Sequence, residues 1–398
     1  MAIIFGTSNV YNAGGTYWQE MCKIDTDKYA IAYRDGADSN HGYVMVCTVS
    51  GTTITEGTRV KFNVAVTAQI TCCPLGTDKF VVCFQDSDKQ GKSLIFTVSG
   101  TVPTAGSEQT FNTGDTYFIK CRQLGTDKFV VAYEDRTASA GQSRVATVST
   151  TTATYGTEDV FNAATTYNVW VAKLDTDKFV VAFKDAGDSN KGKTVACTVS
   201  GTTITTGSEE EFDNNVAEVA CCQIDTNKVA ISFQDQDNSS RGTTRIATYS
   251  GTTATYGTAD VFFSTAANYL STDSYDTGKY YVNYGNGGAP TSGFTRDATV
   301  SGTTITQGTQ VEFDATSARP LATAVIGTNK IVVGYADVTD GGAGTAIIGD
   351  FPASVLPIEL NISDVWKPID TIEINVGDVW KPVTKVEINI GDVWKTVF

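Results

Sequence analysis

The feature that most constrains the fold is a short motif that recurs seven times along the chain. Its copies begin at Ile24, Leu75, Leu124, Leu174, Ile224, Tyr275 and Ile326. In the first copy the motif reads Ile-Asp-Thr-Asp-Lys-Tyr, and the threonines of successive copies lie 49 to 51 residues apart. A period near 50 residues with several short strands in each copy is typical of a propeller or a solenoid. We number the copies repeat 1 to repeat 7.

Each complete copy contains four strand-like runs, which repeat 4 shows clearly. The runs span residues 167–174, 178–184, 194–199 and 203–212. β-Branched and aromatic residues dominate them, and Gly, Asp and Asn separate them. Continuous apolar stretches such as residues 179–183 fit a strand that is buried on both faces. The pattern predicts an all-β fold.

The fourth run of each copy is marked by a glycine followed five residues later by an aromatic residue. The pairs are Gly57/Phe62, Gly106/Phe111, Gly156/Phe161, Gly207/Phe212, Gly257/Phe262 and Gly308/Phe313. A seventh pair, Gly6/Tyr11, stands at the start of the chain, whereas the last copy (residues 321–351) has only three runs. The sequence therefore predicts a seven-bladed β-propeller over residues 1–351. Its ring is closed by the N-terminal strand, which leaves no free edge.

The turns within the copies carry residues that tolerate unusual backbone angles. The position before the motif lysine is occupied by Asp27, Asp78, Asp127, Asp177, Asn227, Gly278 and Asn329. Asp, Asn and Gly accept a positive φ more readily than other residues do. We therefore expect a left-handed turn with a structural aspartate at this position. The Ser-Gly-Thr-Thr segments, such as residues 50–53, are predicted to be tight hairpin turns.

The nine cysteines are predicted to be small buried residues. An odd number argues against a complete disulfide framework. Cys22, Cys73 and Cys222 correspond to Ala172 in repeat 4, and Cys83 corresponds to Ala132 in repeat 3. Free cysteine in such a position behaves as a small hydrophobic residue.

The net charge and the N-terminal residues restrict the kinds of partner that the protein is expected to bind. The formal net charge is −15, and the acidic surplus is spread along the chain. Such a field opposes binding to nucleic acid or to an anionic membrane. The N-terminal residues do not resemble a signal peptide, and no run approaches the ~20 apolar residues of a membrane span. We expect synthesis in a cytoplasm, no nucleic-acid partner and no membrane partner.

The loops on one face of the predicted propeller vary between copies, and binding usually resides in such loops. The candidate ligand-binding residues there are Asp35, Asp38, Asn40, Asp86, Asp88, Asp185, Asp188, Asn190, Asp235 and Asp237. One interpretation is that the first Asp of each loop ends a strand and accepts hydrogen bonds from its own turn. The alternative is a Ca²⁺ site at Asp35 and Asp38 or at Asp185 and Asp188. No loop matches the twelve-residue calcium pattern, and no other cofactor is predicted.

Nothing in the sequence points to catalysis. The chain has one histidine, His41, so no histidine-based triad is supported. A retaining glycosidase needs two neighbouring carboxyl groups, which the sequence does not reveal. We expect a protein that is not an enzyme.

After residue 351 the period changes to 14 residues. Each of three copies alternates polar and apolar residues, turns at Gly-Asp or Ser-Asp and returns as Val-Trp-Lys. One β-hairpin per copy is predicted, and three hairpins can bury a shared core as a small β-prism. The candidate assembly residues are Trp366, Trp380, Trp394, Lys367, Lys381 and Lys395. The tryptophans form the core in one interpretation and an outward-facing interface in the other.

Two segments resemble known classes of protein. The phrase Ile-Asn-Ile-Gly-Asp-Val-Trp-Lys at 388–395 resembles short segments near the ends of phage tail and other virion structural proteins. The Asp-Thr-Asp-Lys-Phe-Val-Val-Ala repeats resemble propeller arrays in phage and environmental bacterial sequences. The resemblance implies a virion protein of the tail-fibre, head-fibre or decoration type. Residues 352–398 would then attach the propeller to other virion proteins or to a second copy, and the propeller would contact a host glycan or receptor.

Two alternatives from other classes stay open at this point. One is a bacterial glycan-binding propeller of the lectin type, which would be extracellular after release without a leader. The other is a propeller glycosidase. A lectin is expected to place aromatic and amide side chains at equivalent positions in its repeats, and the variable loops do not show such a pattern.

Overall fold

The structure is a computed structural model. It describes residues 3–287, 291–316, 318–327 and 329–351, with side chains except at 318–320. It also describes the backbone of six strands between residues 358 and 396. The chain divides into two compact units, Ala2–Phe351 and one that contains Pro352–Phe398. Among the described residues, no helix has the length and apolar character needed to span a membrane.

The first unit is built from antiparallel β-sheets, and two short 3₁₀ segments, Ala186–Asp188 and Val338–Asp340, interrupt its described loops. The first part of the chain and repeat 1 contain β1 (Ile4–Phe5), β2 (Asn9–Asp25), β3 (Lys28–Asp35), β4 (His41–Ser50), β5 (Thr53–Glu56) and β6 (Val60–Asn63). Repeat 2 contains β7 (Ala68–Gly76), β8 (Lys79–Gln85), β9 (Gly91–Ser99), β10 (Val102–Ala105) and β11 (Gln109–Asn112). Repeat 3 contains β12 (Thr116–Gly125), β13 (Lys128–Asp135), β14 (Ala140–Ser149), β15 (Thr152–Tyr155) and β16 (Asp159–Asn162).

The same strand order continues in the later repeats. Repeat 4 contains β17 (Thr166–Asp175), β18 (Lys178–Asp185), β19 (Lys191–Ser200) and β20 (Thr203–Asp213). Repeats 5 and 6 contain β21 (Val216–Asp225), β22 (Lys228–Asp235), β23 (Arg241–Ser250), β24 (Thr253–Tyr256), β25 (Asp260–Asp276), β26 (Lys279–Asn286), β27 (Gly293–Ser301) and β28 (Thr304–Asp314). Repeat 7 contains β29 (Ala318–Gly327), β30 (Lys330–Asp337) and β31 (Ala343–Asp350).

The fourth run predicted for each copy is divided in several repeats. It forms β5 and β6 in repeat 1, β10 and β11 in repeat 2, and β15 and β16 in repeat 3. The break falls at Gly57, Gly106 and Gly156, where the neighbouring repeat approaches so closely that a Cβ atom would collide with its backbone. Glycine at these three positions therefore allows adjacent sheets to pack together.

The hydrophobic cores lie between neighbouring repeats. One cluster joins Ala30 and Val46 of repeat 1 to Phe80 and Phe96 of repeat 2. The first strand of each repeat contacts the first strand of the next, and β29 of repeat 7 contacts β2 of repeat 1. These seven strands are β2, β7, β12, β17, β21, β25 and β29, and we call them the lining strands. They position the site described below.

The N-terminal strands pair with the last strand of repeat 7. Ile4 and Phe5 lie opposite Asp350 and Gly349, and the first half of β2 also pairs with β31. The second half of β2 pairs with β3, so one strand belongs to both repeat 7 and repeat 1. This is the pairing that the Gly6/Tyr11 motif predicted.

The motif turns link neighbouring repeats at several junctions. The left-handed turn is confirmed at Asp27, Asp78, Asp127, Asn227, Gly278 and Asn329, all of which have positive φ. It is not found at Asp177, which is absent from the described residues with positive φ. The Nζ atom of Lys28 donates to Oδ1 of Asp78 at 2.7 Å, and Lys79 donates to Asp127 at 2.9 Å. Lys330 of repeat 7 donates to Asp27 of repeat 1 at 3.0 Å. The turn aspartates therefore hold neighbouring repeats together.

The prediction for the cysteines is confirmed, since all nine are free and buried. Several of them lie on the lining strands, where small side chains leave room for larger ones from other repeats. Burial raises the pKa of Cys221 to about 12, which keeps this thiol protonated.

The second unit contains three hairpins in its described part. Their strands are β32 (Ile358–Ile362), β33 (Val365–Ile369), β34 (Glu373–Val376), β35 (Val379–Pro382), β36 (Glu387–Ile390) and β37 (Val393–Thr396). They pair as β32–β33, β34–β35 and β36–β37. The side chains of the candidate assembly residues, Trp366, Trp380, Trp394, Lys367, Lys381 and Lys395, lie outside the described residues. The β-prism therefore stays a prediction.

Candidate ligand-binding site

The candidate site is formed by an irregularity that recurs in the lining strands. In repeat 1, Tyr17 lies opposite Arg34 but Glu20 lies opposite Ala32, so the strand contains one extra residue. The same shift occurs in repeats 2, 3, 4 and 6. Such a β-bulge redirects a side chain and often borders a functional site.

The bulge residues have left-handed backbone angles although none of them is glycine. They are Trp18, Gln69, Phe118, Asn168 and Tyr269, with φ between 50° and 58°. A bulky residue rarely adopts this conformation, which costs on the order of 1–3 kcal/mol. Backbone strain of this kind clusters at functional sites. Its repetition at one register position therefore makes this region a candidate site.

These side chains converge on a cavity of ≈ 250 Å³, which we call the mouth cavity. Its lining includes Trp18, Gln69, Phe118, Asn168, Glu218 and Tyr269, one residue from each of repeats 1 to 6. The cavity lies near the ends of the lining strands that follow the connections between repeats. The exposed fraction of Trp18 is 41%, so a ligand can reach its indole ring. Aromatic faces beside a few polar groups are the usual lining of a small-molecule site.

Hydrogen bonds between repeats hold the polar groups of the mouth cavity in place. Oε1 of Gln69 accepts from the backbone N–H of Phe118 at 2.9 Å. Oε2 of Glu218 accepts from the N–H of Leu270 at 3.0 Å. Burial raises the pKa of the Glu218 carboxyl, since it leaves the charged form poorly solvated. The amide and carboxyl groups are therefore preorganised before a ligand binds.

The floor of the mouth cavity is formed by three side chains. Lys120 forms an ion pair with Glu20, and its Nζ atom lies 4.1 Å from the centre of the Trp170 ring. All three residues also border a second cavity of ≈ 120 Å³, which we call the lower cavity. They therefore separate the two cavities.

The lower cavity is crossed by an ion pair between distant repeats. Nη2 of Arg122 in repeat 3 donates to Oδ1 of Asp273 in repeat 6 at 3.2 Å. The Asp273 carboxylate raises the pKa of Arg122. At the corresponding positions the other repeats carry the small residues Cys22, Cys73, Ala172, Cys222 and Ala324. These small side chains make room for the ion pair, which is a structural role.

The first aspartate of each variable loop accepts hydrogen bonds from the backbone of its own loop. Oδ1 of the first Asp accepts backbone N–H groups of the same turn at Asp35, Asp86, Asp135, Asp185, Asp235 and Asp337. This confirms the turn-forming interpretation. Asn40 and Asn190 have φ of 63° and 66° and shape their turns. Asp237 accepts from the side-chain amide of Asn215 at 3.1 Å. Asp88 is exposed at the edge of a shallow groove.

The carboxylates suggested for Ca²⁺ bind cationic side chains. Asp35 pairs with Arg59, Asp38 with Lys61 at 2.7 Å, and both Asp185 and Asp188 with Lys193. The Lys61 ammonium lowers the pKa of Asp38, and the Lys193 ammonium lowers that of Asp188. Nowhere in the described ranges do three His, Cys, Asp or Glu side chains form a group that could hold a metal ion. These cations already neutralise the carboxylates on which the Ca²⁺ prediction rests, and Ca²⁺ binding there stays a prediction.

The sequence-predicted binding residues lie in the variable loops, whereas the residues that line the mouth cavity lie in the lining strands. Whether the loops bind a ligand stays a prediction. The available signal was one column of the repeat that holds Trp18, Gln69, Phe118, Asn168, Glu218 and Tyr269. This column places aromatic and amide side chains at equivalent positions of several repeats, which the loops do not.

Comparison with solved structures identifies the fold as that of a β-propeller. The BP39L lectin of Burkholderia pseudomallei matches with a TM-score of 0.65 at 9% identity, over 86% of this chain and 99% of the lectin. The β-propeller domain of Cps50 (Swd1) from Myceliophteria thermophila matches with a TM-score of 0.57 at 9% identity, over 88% of this chain and 100% of that domain.

A protein of unknown function from Dyadobacter fermentans also matches, with a TM-score of 0.52 at 11% identity, over 88% of this chain and 99% of that protein. At these identities the likeness concerns the fold alone. No protein-family profile matches the sequence, and no curated protein sequence matches it significantly.

Proposed function

We propose that residues 1–351 form a closed seven-bladed propeller. The contacts between repeat 7 and repeat 1 support this arrangement because they repeat those of the other junctions. Tyr11 lies over Gly344 as Phe161 lies over Gly141, and Gly6 packs against Thr52 as Gly156 packs against Thr202. The Lys330–Asp27 ion pair repeats the Lys28–Asp78 pair.

We propose further that the protein binds a carbohydrate at the mouth cavity. The observation that carries this proposal is the column of aromatic and amide side chains that the strained bulges direct into one cavity. An aromatic ring packs against the apolar face of a sugar, while amide and carboxyl groups bond to its hydroxyl groups. The likeness in fold to a lectin supports a carbohydrate over other small ligands.

We propose that this binding is not followed by catalysis. A retaining glycosidase needs two carboxyl groups ~5 Å apart that face the scissile bond. In the mouth cavity, Glu20 is paired with Lys120 and Glu218 accepts backbone N–H groups. Neither carboxyl group is placed as a free nucleophile or acid.

Replacing Trp18 with alanine is expected to weaken glycan binding at least about tenfold, because a central tryptophan often contributes about 2 kcal/mol to binding. Glycans selected by an array screen of the full chain would be measured by titration calorimetry. The matched control is Tyr43→Ala, since Tyr43 is a half-buried aromatic residue of repeat 1 outside the cavity. Equal affinity of the Trp18 variant and the wild type would contradict binding at the mouth cavity.

The virion role stays a prediction, since it rests on the resemblance of the C-terminal repeat and of the propeller repeats to phage sequences. Attachment through residues 352–398, to other virion proteins or to a second copy, is a prediction of the same kind. The glycan-binding alternative is favoured because the mouth cavity and the fold likeness both support it.

A further inference from the structure

Two cations occupy the same register position next to bulge residues of the mouth cavity, although neither cation lines the cavity itself. Arg34 and Lys184 lie directly opposite Tyr17 and Tyr167 in the strand next to the lining strand. Cζ of Arg34 lies 4.6 Å from the Tyr17 ring centre, and Nζ of Lys184 lies 5.9 Å from the Tyr167 ring centre. Each tyrosine immediately precedes a bulge residue. The Tyr167 ring also contacts Phe118 of the mouth cavity, at 5.5 Å between centres.

Within the part of the chain that the structure describes, neither cation has a carboxylate partner, although most other lysines and arginines form ion pairs. Nε of Arg34 is buried without a hydrogen-bond acceptor. Burial lowers the pKa of both side chains. A partly desolvated cation without a counter-ion is unfavourable, and a bound anion would relieve this cost.

Repeat 3 provides a comparison within the same molecule. Cζ of Arg136 lies 3.4 Å from the centre of the Tyr117 ring, so the same aromatic position again carries a cation. Here the residue opposite Tyr117 is Glu134, and Nε of Arg136 donates to its carboxylate at 3.0 Å. The positive charge of Arg136 in repeat 3 is therefore neutralised by Glu134. Among the described residues, Arg34 in repeat 1 and Lys184 in repeat 4 have no such carboxylate.

The carboxyl groups of the mouth cavity do not offset the two cations. Glu20 is already paired with Lys120. The Glu218 carboxyl group accepts the backbone N–H of Leu270 and forms no ion pair with either cation among the described residues. A chain with a net charge of −15 thus carries uncompensated positive charge beside this cavity.

We infer that the glycan bound at the mouth cavity is acidic, and that its anionic substituents extend beyond the cavity lining to Arg34 in repeat 1 and to Lys184 in repeat 4. The inference rests on the proposed carbohydrate binding and specifies its ligand class. A carboxylate or a sulfate on the sugar has the required charge, and both accept hydrogen bonds from guanidinium and ammonium groups. Tyr17 and Tyr167 supply the aromatic surface beside each cation.

The test uses pairs of glycans that differ only in charge. Oligogalacturonate is compared with its methyl ester, and 3-O-sulfated lactose with lactose, by calorimetry on the full chain. The acidic member of at least one pair is expected to bind about fivefold or more tightly, as a partly desolvated ion pair contributes on the order of 1 kcal/mol. Arg34→Gln and Lys184→Gln should each reduce this preference, and the double variant should abolish it. The control Arg136→Gln should retain it.

The possible outcomes distinguish the inferred preference for an acidic glycan from the proposed carbohydrate binding. Equal binding of charged and neutral members would overturn the inference while leaving the proposed carbohydrate binding intact. A preference that survives in the double variant would also overturn it, because the charge would then be recognised elsewhere. If no glycan of either kind binds, the proposed function itself is wrong. A preference for the charged member seen only in the galacturonate pair would identify a carboxylate as the substituent. A preference seen only in the lactose pair would identify a sulfate.

Discussion

Replacing Tyr11 with alanine is expected to lower the free energy of unfolding by about 3–5 kcal/mol, the usual cost of removing a large buried aromatic side chain. Tyr11 belongs to the strand that pairs with repeat 7, yet its ring packs against Tyr33 of repeat 1 at 5.2 Å between centres. Its exposed fraction is only 6%. The cost arises because one side chain fills the junction between the last repeat and the first. Urea denaturation at equilibrium measures it.

The matched control is Phe161→Ala at the junction of repeats 3 and 4. Phe161 packs against Phe183 at the same separation of 5.2 Å, in a junction within continuous sequence. If the ring is closed, the two substitutions should lower stability by similar amounts. A Tyr11 variant as stable as the wild type, beside a destabilised Phe161 variant, would show that repeats 1 and 7 are not joined.

Replacing Asp273 with asparagine is expected to lower the free energy of unfolding by about 2–3 kcal/mol, because it leaves the Arg122 charge without a partner in the lower cavity. Fully buried pairs cost more to break, but the side chains of Arg122 and Asp273 retain exposed fractions of 29% and 23%. Asparagine has nearly the same shape as aspartate, so the loss reports on charge and not on packing. Thermal and urea unfolding both measure it.

The double variant Arg122→Gln, Asp273→Asn is the control for this prediction. It removes both charges together, and buried pairs are often replaced by neutral residues at little cost. Most of the lost stability should therefore return. A double variant no more stable than Asp273→Asn alone would mean that the ion pair does not account for the effect.

The repeating parts of the fold could be predicted from the sequence because their chemistry is local. The Gly6/Tyr11 pair anticipated that the N-terminal strand pairs with β31, since the same spacing recurs in every copy. The turn residues anticipated left-handed angles, since Asp, Asn and Gly tolerate them. Both inferences depend only on residues that are close together in the sequence.

The candidate site could not be predicted in the same way because it depends on differences between repeats. Lys120 and Glu20 are 100 residues apart, and Arg122 and Asp273 are 151 residues apart. Only the arrangement of the lining strands brings such residues together. The bulge is also invisible in the sequence, because Trp18 and Gln69 are not residues that favour a positive φ. The sequence therefore favoured the variable loops as the site, although the aspartates of these loops form turns.

Hydrogen–deuterium exchange of the full chain, with and without the glycan that binds, locates the carbohydrate site. Binding at the mouth cavity should slow exchange in residues 16–21, 67–72, 116–121 and 166–171 of the lining strands. Protection confined to the loops at 35–41, 86–90, 185–191 and 235–241 would instead place the site in the acidic loops, and binding at the mouth cavity would then be wrong.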